Sequence, residues 1–220
     1  MSNISEINKD TFWELIAQAK EQCGQDQDAF CQWLENRLIE MGPEQALNFD
    51  YAAFAYRAAA YKYGLWSAAS VMLDGCTDDG FTDFRGWLIA QGREVYMAAL
   101  KDPDSLADAA DYQDQRFVCL PHMGDRAYEE LTGREIYEDF DPAGYDALKS
   151  ELKQDIVYGD GIGYPYDAAD AQVYLPRLCQ RYMPEGVNIG TWNINSLEIR
   201  AARATAQKSK KIKKDRGDSR

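Results

Sequence analysis

The sequence predicts an all-α fold, and three observations support that prediction. Apolar residues recur at intervals of three and four along most of the first 110 residues, which is the period of a helix buried on one face. Glycine and proline interrupt this pattern often, so short connections should join successive helices. A strand-like pattern is confined to residues 155–158. We therefore expect a compact, bundle-like array of several helices, with an irregular C-terminal part.

The first two helices have the clearest signals. Residues 12–23 form an apolar stripe, with Asp10 as the expected N-cap and Gly24 as the stop. Residues 30–41 form a second stripe that ends just before Pro43, and proline suits the first turn of the next helix. These punctuating residues predict an antiparallel pair of helices followed directly by a third.

The third stripe covers residues 47–65, with Gly64 as its expected break, and a short helix follows over 65–73. The polar loop 74–80 precedes a long helix predicted over 81–99. Further along, the apolar pattern is less regular and the predicted helices are shorter. They cover residues 105–111, 125–132, 142–154 and the two sides of Pro176 within 168–182.

The charge is divided unevenly along the chain. Its 37 acidic and 24 basic residues give a net charge of −13. Residues 200–220 hold nine bases and two acids, a net charge of +7, which leaves −20 on residues 1–199. We expect residues 1–199 to form a single helical domain, in which residues 136–199 are a less regular extension. The basic tail, residues 200–220, should be disordered in isolation because it has few apolar residues to bury.

The cysteines indicate reduced thiols in a cytoplasmic protein. The five are odd in number and scattered, and none belongs to a Cys-x-x-Cys pair. The single histidine, His122, lies three residues after Cys119, but no motif of nucleophilic catalysis surrounds the two. The N-terminal residues lack the basic and apolar regions of a signal peptide, and no apolar stretch approaches the length of a membrane span. We expect no cofactor.

The loop before the predicted long helix is the first candidate site. Asp78 and Asp79 precede that helix, where carboxylates interact favourably with the N-terminal dipole. Arg85 lies two turns further on, Arg57 lies on an earlier helix, and Arg93 lies further along the same predicted helix. Either these side chains form a polar cluster for a ligand, a partner or a divalent metal, or one aspartate caps the helix and Arg85 pairs with the loop.

A stripe of carboxylates is the second candidate. Asp104, Asp108 and Asp111 lie at positions i, i+4 and i+7, which is one face of a helix, and no base lies among them. Such a stripe is either a solvated face or a docking surface for a basic partner, the chain's own tail included.

The basic tail is the third candidate. Its lysines are clustered at Lys208, Lys210, Lys211, Lys213 and Lys214. Such a cluster can bind nucleic acid or an anionic membrane surface, but the acidic body would repel the same polyanion. Three roles therefore remain open for the tail. Its positive charge is neutralised by acidic residues of this chain or of another protein, it keeps the protein soluble, or it binds nucleic acid.

The central part of the chain resembles a known family. Residues 65–69 (LWSAA), 75–81 (GCTDDGF) and 84–93 (FRGWLIAQGR) are similar to the bacterial family catalogued as domain of unknown function 4240. Residues 12–16 (FWELI) look like its opening motif, and the resemblance covers residues 10–135. It implies a fold class and a bacterial cytoplasmic origin, and it implies no activity and no catalytic residues.

These features favour a binding module over an enzyme. The preferred function is a non-enzymatic, acidic helical protein that recognises another protein, with an immunity or antitoxin-like inhibitor, or a regulator, as one form of it. One alternative is a metal-assisted enzyme or a small-ligand-binding protein built on the loop of Asp78, Asp79 and Arg85. The other alternative is nucleic-acid association through the basic tail.

Overall fold

The computed structural model describes residues 4–24, 26–112, 119–163 and 168–185, and no strand occurs among them. The all-α prediction is confirmed. The described residues contain ten α-helices: α1 (Lys9–Cys23), α2 (Gln27–Met41), α3 (Pro43–Ala59), α4 (Tyr63–Met72), α5 (Asp78–Ala90), α6 (Arg93–Lys101), α7 (Met123–Thr132), α8 (Pro142–Leu152), α9 (Ala168–Tyr174) and α10 (Pro176–Tyr182). None of the helices described is long and apolar enough to cross a membrane. The basic tail lies outside the described residues.

Several helix boundaries differ from the prediction. Helix α3 ends at Ala59, so Gly64 lies inside α4 and does not end the third helix, and the helix predicted over 105–111 is a 3₁₀ helix, Pro103–Asp108. The long helix expected over 81–99 is divided into α5 and α6, because Gly92 between them adopts a φ of +93°. The N-cap of α1 is Asn8 instead of Asp10. The side-chain oxygen of Asn8 accepts the N–H of Thr11 at 3.0 Å, and the Thr11 hydroxyl accepts the N–H of Asn8 at 2.8 Å. This reciprocal pair is a capping box, which satisfies two donors at the helix start.

The chain divides into two compact units. The first unit consists of Met1–Ala60, Thr82–Met97 and Ala110–Val157. The second unit consists of Tyr61–Phe81, Ala98–Ala109 and Tyr158–Arg220. Helices α1, α2, α3, α7 and α8 therefore belong to the first unit, and α4, α9 and α10 belong to the second.

Aromatic side chains form the centre of the first unit. The rings of Phe12, Trp13, Phe49, Tyr56 and Tyr96 are buried. Their polar atoms are satisfied inside the core: the indole N–H of Trp13 donates to the hydroxyl of Tyr56 at 2.9 Å, and the hydroxyl of Tyr96 donates to the main-chain oxygen of Tyr56 at 2.6 Å. Burial of such large rings is the main source of stability, and the hydrogen bonds remove the desolvation penalty.

Helix α7 packs against α3 at Gly124. A Cβ atom on this glycine would lie 2.6 Å from the main-chain oxygen of Ala46 and 2.7 Å from the Cβ of Asp50. These separations are below van der Waals contact, so a larger residue would push the two helices apart. The close approach places the first turn of α7 beside Asp50.

A disulfide joins Cys31 of α2 to Cys119, with their Cα atoms 6.4 Å apart. The expectation of reduced thiols is therefore wrong for this pair. The two cysteines are 88 positions apart in the sequence, and spacing alone does not show which scattered cysteines meet in a fold. Since Cys119 is bonded to Cys31, its sulfur is not a thiolate nucleophile beside His122.

The second unit is centred on Trp66 of α4. The Trp66 ring stacks on Phe81 with centroids 4.8 Å apart. The glycine-rich segment after residue 158 packs closely on the end of α6. The N–H of Gly159 donates to the main-chain oxygen of Leu100 at 3.0 Å, and a Cβ at this position would lie 2.0 Å from the oxygen of Lys101. Only a glycine fits this approach without a backbone shift.

Candidate functional site

The two aspartates of the first candidate loop lie in the first turn of α5. Asp78 and Asp79 are the first residues of this helix. The hydroxyl of Thr77 accepts the N–H of Gly80 at 3.1 Å, so a residue before the aspartates supplies a side-chain cap. Within the part of the chain that the structure describes, no group of three or more His, Cys, Asp or Glu side chains is placed to hold a metal ion.

Arg85 is a buried residue that contacts α3. Its guanidinium donates to the main-chain oxygen of Arg57 at 3.0 Å and to the hydroxyl of Thr82 at 3.0 Å. The side chain of Arg57 extends over the ring of Phe54, with the guanidinium carbon 5.8 Å from the ring centroid. The structure therefore brings Arg57 and Arg85 together through a main-chain oxygen.

Arg93 belongs to a separate group of charges. It pairs with Asp10 at 3.4 Å and with Asp155 at 2.6 Å, and Asp155 also accepts from Lys9 at 3.2 Å. All four side chains are partly exposed, and such pairs contribute about 0–1 kcal/mol each. This network fastens the start of α6 to α1 and to the residues after α8.

The carboxylate stripe is occupied in large part by α10. Asp104 is buried, and its carboxylate accepts the N–H groups of Arg177 at 3.1 Å and Leu178 at 3.0 Å, so it caps the start of α10. Asp108 pairs with the guanidinium of Arg177. Asp111 is exposed. The cation that meets Asp108 in this structure comes from the same chain.

Asp50 is a titratable residue that the sequence pattern did not predict as part of a site. Its pKa is raised from an ordinary 3.8 to about 7: burial raises it most, the negative charge of Asp125 also raises it, and Arg57 lowers it. A carboxylate with this pKa is partly protonated near neutral pH. The sequence offered only a weak signal, which is that Asp50 and Arg57 lie seven positions apart on one face of α3.

Four aromatic rings form a second cluster where α8 begins. The centroid of Tyr145 lies 5.8 Å from that of Phe54 and 5.8 Å from that of Phe140, and the ring of Tyr51 lies 5.3 Å from Phe140. The hydroxyl of Tyr51 accepts the N–H of Asp141 at 2.6 Å, which fixes the turn before α8. Phe54 is 51 % exposed and Phe140 is 48 % exposed. Both rings therefore contact neighbouring rings and remain about half exposed.

Tyr137 is a further exposed ring close in sequence to this cluster. It lies in the 3₁₀ turn Ile136–Asp139, three positions before Phe140. Tyr137 is 70 % exposed. Interactions within the segment hold the turn in place, because the hydroxyl of Tyr128 donates to Asp139 at 2.5 Å and Arg134 pairs with Asp139 at 2.7 Å.

Acidic residues flank Tyr137 and Phe140 in the sequence. Residues 129–146 contain seven acidic residues and one basic residue, a net charge of −6. We define the acidic aromatic surface as the exposed rings together with the exposed acids next to them in the chain: Phe54, Tyr137, Phe140, Glu135, Glu138 and Asp141. The signal that could have revealed it is the alternation of acids and aromatics in residues 135–141 (EIYEDFD), a pattern that fits neither a buried helix nor a strand.

A family model described as "Protein of unknown function (DUF4240)" matches residues 7–130. The chain belongs to this family. The resemblance found at residues 10–135 is thereby confirmed. No curated protein matches the chain, and no solved structure matches it.

The DUF4240 region covers α1 to α6 and most of α7. Phe54 and Asp50 lie inside this region, whereas Tyr137 and Phe140 follow it. The acidic aromatic surface is therefore built from one ring of the DUF4240 region and two rings of the residues after it. Membership of DUF4240 assigns no role to the surface, so its function has to be inferred from geometry and charge.

Proposed function

We propose that this protein is a non-enzymatic binding module that recognises a basic segment of another protein through the acidic aromatic surface. The observation that carries the proposal is the exposure of Tyr137 and Phe140 within a segment of net charge −6. Clustered exposed rings are uncommon on a protein surface that binds nothing, and aromatic residues dominate the binding energy of protein interfaces.

The cluster itself supports a preference for cations. The Lys149 ammonium lies 4.9 Å from the centroid of Tyr145, and the Arg57 guanidinium lies over Phe54. A ring that faces a cation gains about 0.5–1 kcal/mol at an exposed site. Carboxylates near such a ring also attract a cation. An arginine or lysine side chain of a partner would therefore be stabilised by both the ring contact and the charge attraction.

The surface is also held in one arrangement before a partner arrives. Asp141 caps α8 by accepting the N–H groups of Ala143 and Gly144, both at 3.0 Å, and Tyr51 accepts the N–H of Asp141. Arg134 pairs with Glu138 at 3.4 Å as well as with Asp139. Pre-organisation of this kind lowers the entropy that binding would otherwise lose.

We also propose that the protein is cytoplasmic, as the sequence leads us to expect. Disulfides are rare in that compartment, so the Cys31–Cys119 pair makes the location testable. Thiols are trapped in intact cells and counted by a gel-shift measurement; a reduced pair would support the cytoplasm and would mean that the Cys31–Cys119 disulfide forms only under oxidising conditions. A fully oxidised pair in living cells would instead place the protein in an oxidising compartment.

A labelled peptide of alternating arginine and serine tests the proposed surface. We expect the full chain to bind it, with an affinity that falls as salt rises. The double variant Tyr137→Ser/Phe140→Ser should bind about tenfold more weakly, because two ring contacts of about 0.5–1 kcal/mol are lost. Fluorescence anisotropy at about 150 mM salt, where the Debye length is about 8 Å, measures both affinities.

The matched control is Tyr174→Ser, which removes a ring that is 50 % exposed on α9, outside the proposed surface. This control should bind the peptide as the wild type does. Tyr137→Ser alone provides a variant that spares the packed ring of Phe140, and circular dichroism verifies its fold. Equal peptide affinity for the wild type, Tyr137→Ser and Tyr174→Ser would refute the proposal.

A further inference from the structure

The lysine-rich tail of this chain has the chemistry of the partner just proposed. We infer that residues 208–214 bind the acidic aromatic surface of the same chain and compete there with the basic segment of a partner. This inference rests on the proposed function. On this inference, the tail is an intramolecular competitor that determines the fraction of molecules whose surface is available to a partner.

Charge complementarity is the first argument. Five of the seven residues 208–214 are lysines, and residues 200–220 carry a net charge of +7. Residues 129–146 carry −6, with Arg134 as their one basic residue. Pairing the two segments nearly cancels both charges, and attraction between oppositely charged patches favours their encounter.

The described rings show that lysine suits this role. The Lys149 ammonium lies over Tyr145, and in the second unit the Lys62 ammonium lies 4.3 Å from the centroid of Tyr158. Tyr137 and Phe140 present rings of the same kind, and both are about half exposed or more. Lysines of the tail can therefore repeat a contact that this chain makes twice within its described residues.

The other acidic candidate is less suited to receive the tail. Asp104 is buried under the start of α10, and Asp108 pairs with Arg177. Arg181 donates to the main-chain oxygens of Ala107 at 2.6 Å and Ala109 at 2.8 Å. An incoming lysine would have to displace these arginine contacts. At the acidic aromatic surface, the rings that a lysine would contact are already exposed.

The linking chain is long enough. Residues 186–207 separate the last described residue from Lys208, and 22 residues span at most about 70 Å when extended. A tether of this length lets the lysines sample positions far from residue 185. Tethering gives an effective concentration on the order of millimolar, which makes even a weak contact largely occupied.

A peptide with the sequence of residues 206–216 is the probe, and the full chain is its receptor. In the wild type the attached tail competes with the probe. The variant with all five lysines of 208–214 changed to glutamine should therefore bind the probe about tenfold more tightly, since tail occupancy divides the apparent affinity. Fluorescence anisotropy at about 150 mM salt, with a Debye length of about 8 Å, limits the effect of distant charges.

A charge-matched pair of variants separates competition from net charge. Lys210→Gln/Lys211→Gln should bind the probe about threefold more tightly than the wild type. Lys101→Gln/Lys153→Gln has the same net charge but changes two exposed lysines outside the tail, and its affinity should equal that of the wild type. Adding Tyr137→Ser/Phe140→Ser to the five-lysine variant should abolish the gain, whereas adding Tyr174→Ser should leave it.

Two results would overturn the inference, and neither is the result that overturns the proposed function. If the wild type and the five-lysine variant bind the probe equally, the surface binds basic segments but the tail does not occupy it. If the gain disappears on dilution, the tail reaches a second copy and not its own chain. If no variant binds either this probe or the arginine–serine peptide, the proposed function itself fails.

Discussion

The ionisation of Asp50 gives a stability prediction whose size follows from the structure. Burial and Asp125 raise the pKa of Asp50 to about 7 in the folded protein, against 3.8 for an ordinary aspartate. Below pH 4 the carboxyl is protonated in both the folded and the unfolded chain. Between about pH 4 and 7 it is protonated only in the folded chain, so unfolding releases a proton. The stabilisation is fully present at low pH and is lost as the pH rises through 7.

The magnitude follows from the slope of this linkage. Each pH unit in that window changes the free energy of unfolding by about 1.4 kcal/mol. From pH 5 to pH 8 the wild type should therefore lose about 2–3 kcal/mol because of Asp50. The Asp50→Asn variant keeps an amide of nearly the same shape and cannot ionise. Relative to the wild type, it should gain about 2–3 kcal/mol over the same range.

Urea denaturation followed by circular dichroism measures this difference at several pH values between 5 and 8. The comparison uses the difference between variant and wild type because the other acidic residues contribute equally to both. The control is Asp146→Asn, which removes one exposed carboxylate of α8 and so matches the change in net charge. Removing the neighbouring charge with Asp125→Asn should lower the pKa of Asp50 and reduce the slope in part. A flat difference for Asp50→Asn would refute the reasoning.

Three further predictions concern contacts that hold the fold. Gly124→Ala should lose about 2 kcal/mol of stability in urea denaturation because its Cβ meets the backbone of α3, and Gly163→Ala, with nothing within 4 Å, should be neutral. Asp104→Ala should lose about 2 kcal/mol in the same assay because two N–H groups of α10 lose their acceptor, whereas Asp108→Ala should lose less than about 1 kcal/mol. Cys31→Ala should lose about 2–5 kcal/mol, and reductant should lower the melting temperature of the wild type but not of this variant.

Local signals predicted most of the helices because they act through the backbone of the residue concerned. Gly24 and Gly133 end helices where positive φ angles are required, and Pro43 begins a helix where its missing N–H is not needed. The division of the predicted long helix shows the limit of such signals. Gly92 is a helix-breaking residue, but the helical spacing of apolar residues continues across it. The spacing therefore predicts one helix where the structure has two.

Contacts between distant residues were not predictable. Asp104 and Arg177 are 73 positions apart, and the sequence does not show that α10 starts above this carboxylate. Asp50 resembles any acid on a helix face until Gly124 brings α7 against it. The Cys31–Cys119 disulfide likewise depends on a contact between residues that are distant in the sequence. All three contacts depend on which helix faces pack together. An amphipathic pattern shows that one face of a helix is buried, but it does not show which other helix covers that face.

Net charge does not by itself identify a docking surface, because carboxylates that already have a cation gain little from a new one. Asp104, Asp108 and Asp111 formed the denser stripe in the sequence, and yet α10 supplies Arg177 to it. Near Tyr137 and Phe140, Arg134 likewise pairs with Glu138 and Asp139, so the exposed rings are what distinguishes this surface. A basic side chain gains both charge and ring contact there while remaining hydrated. The better site for a cationic segment is therefore the acidic aromatic surface.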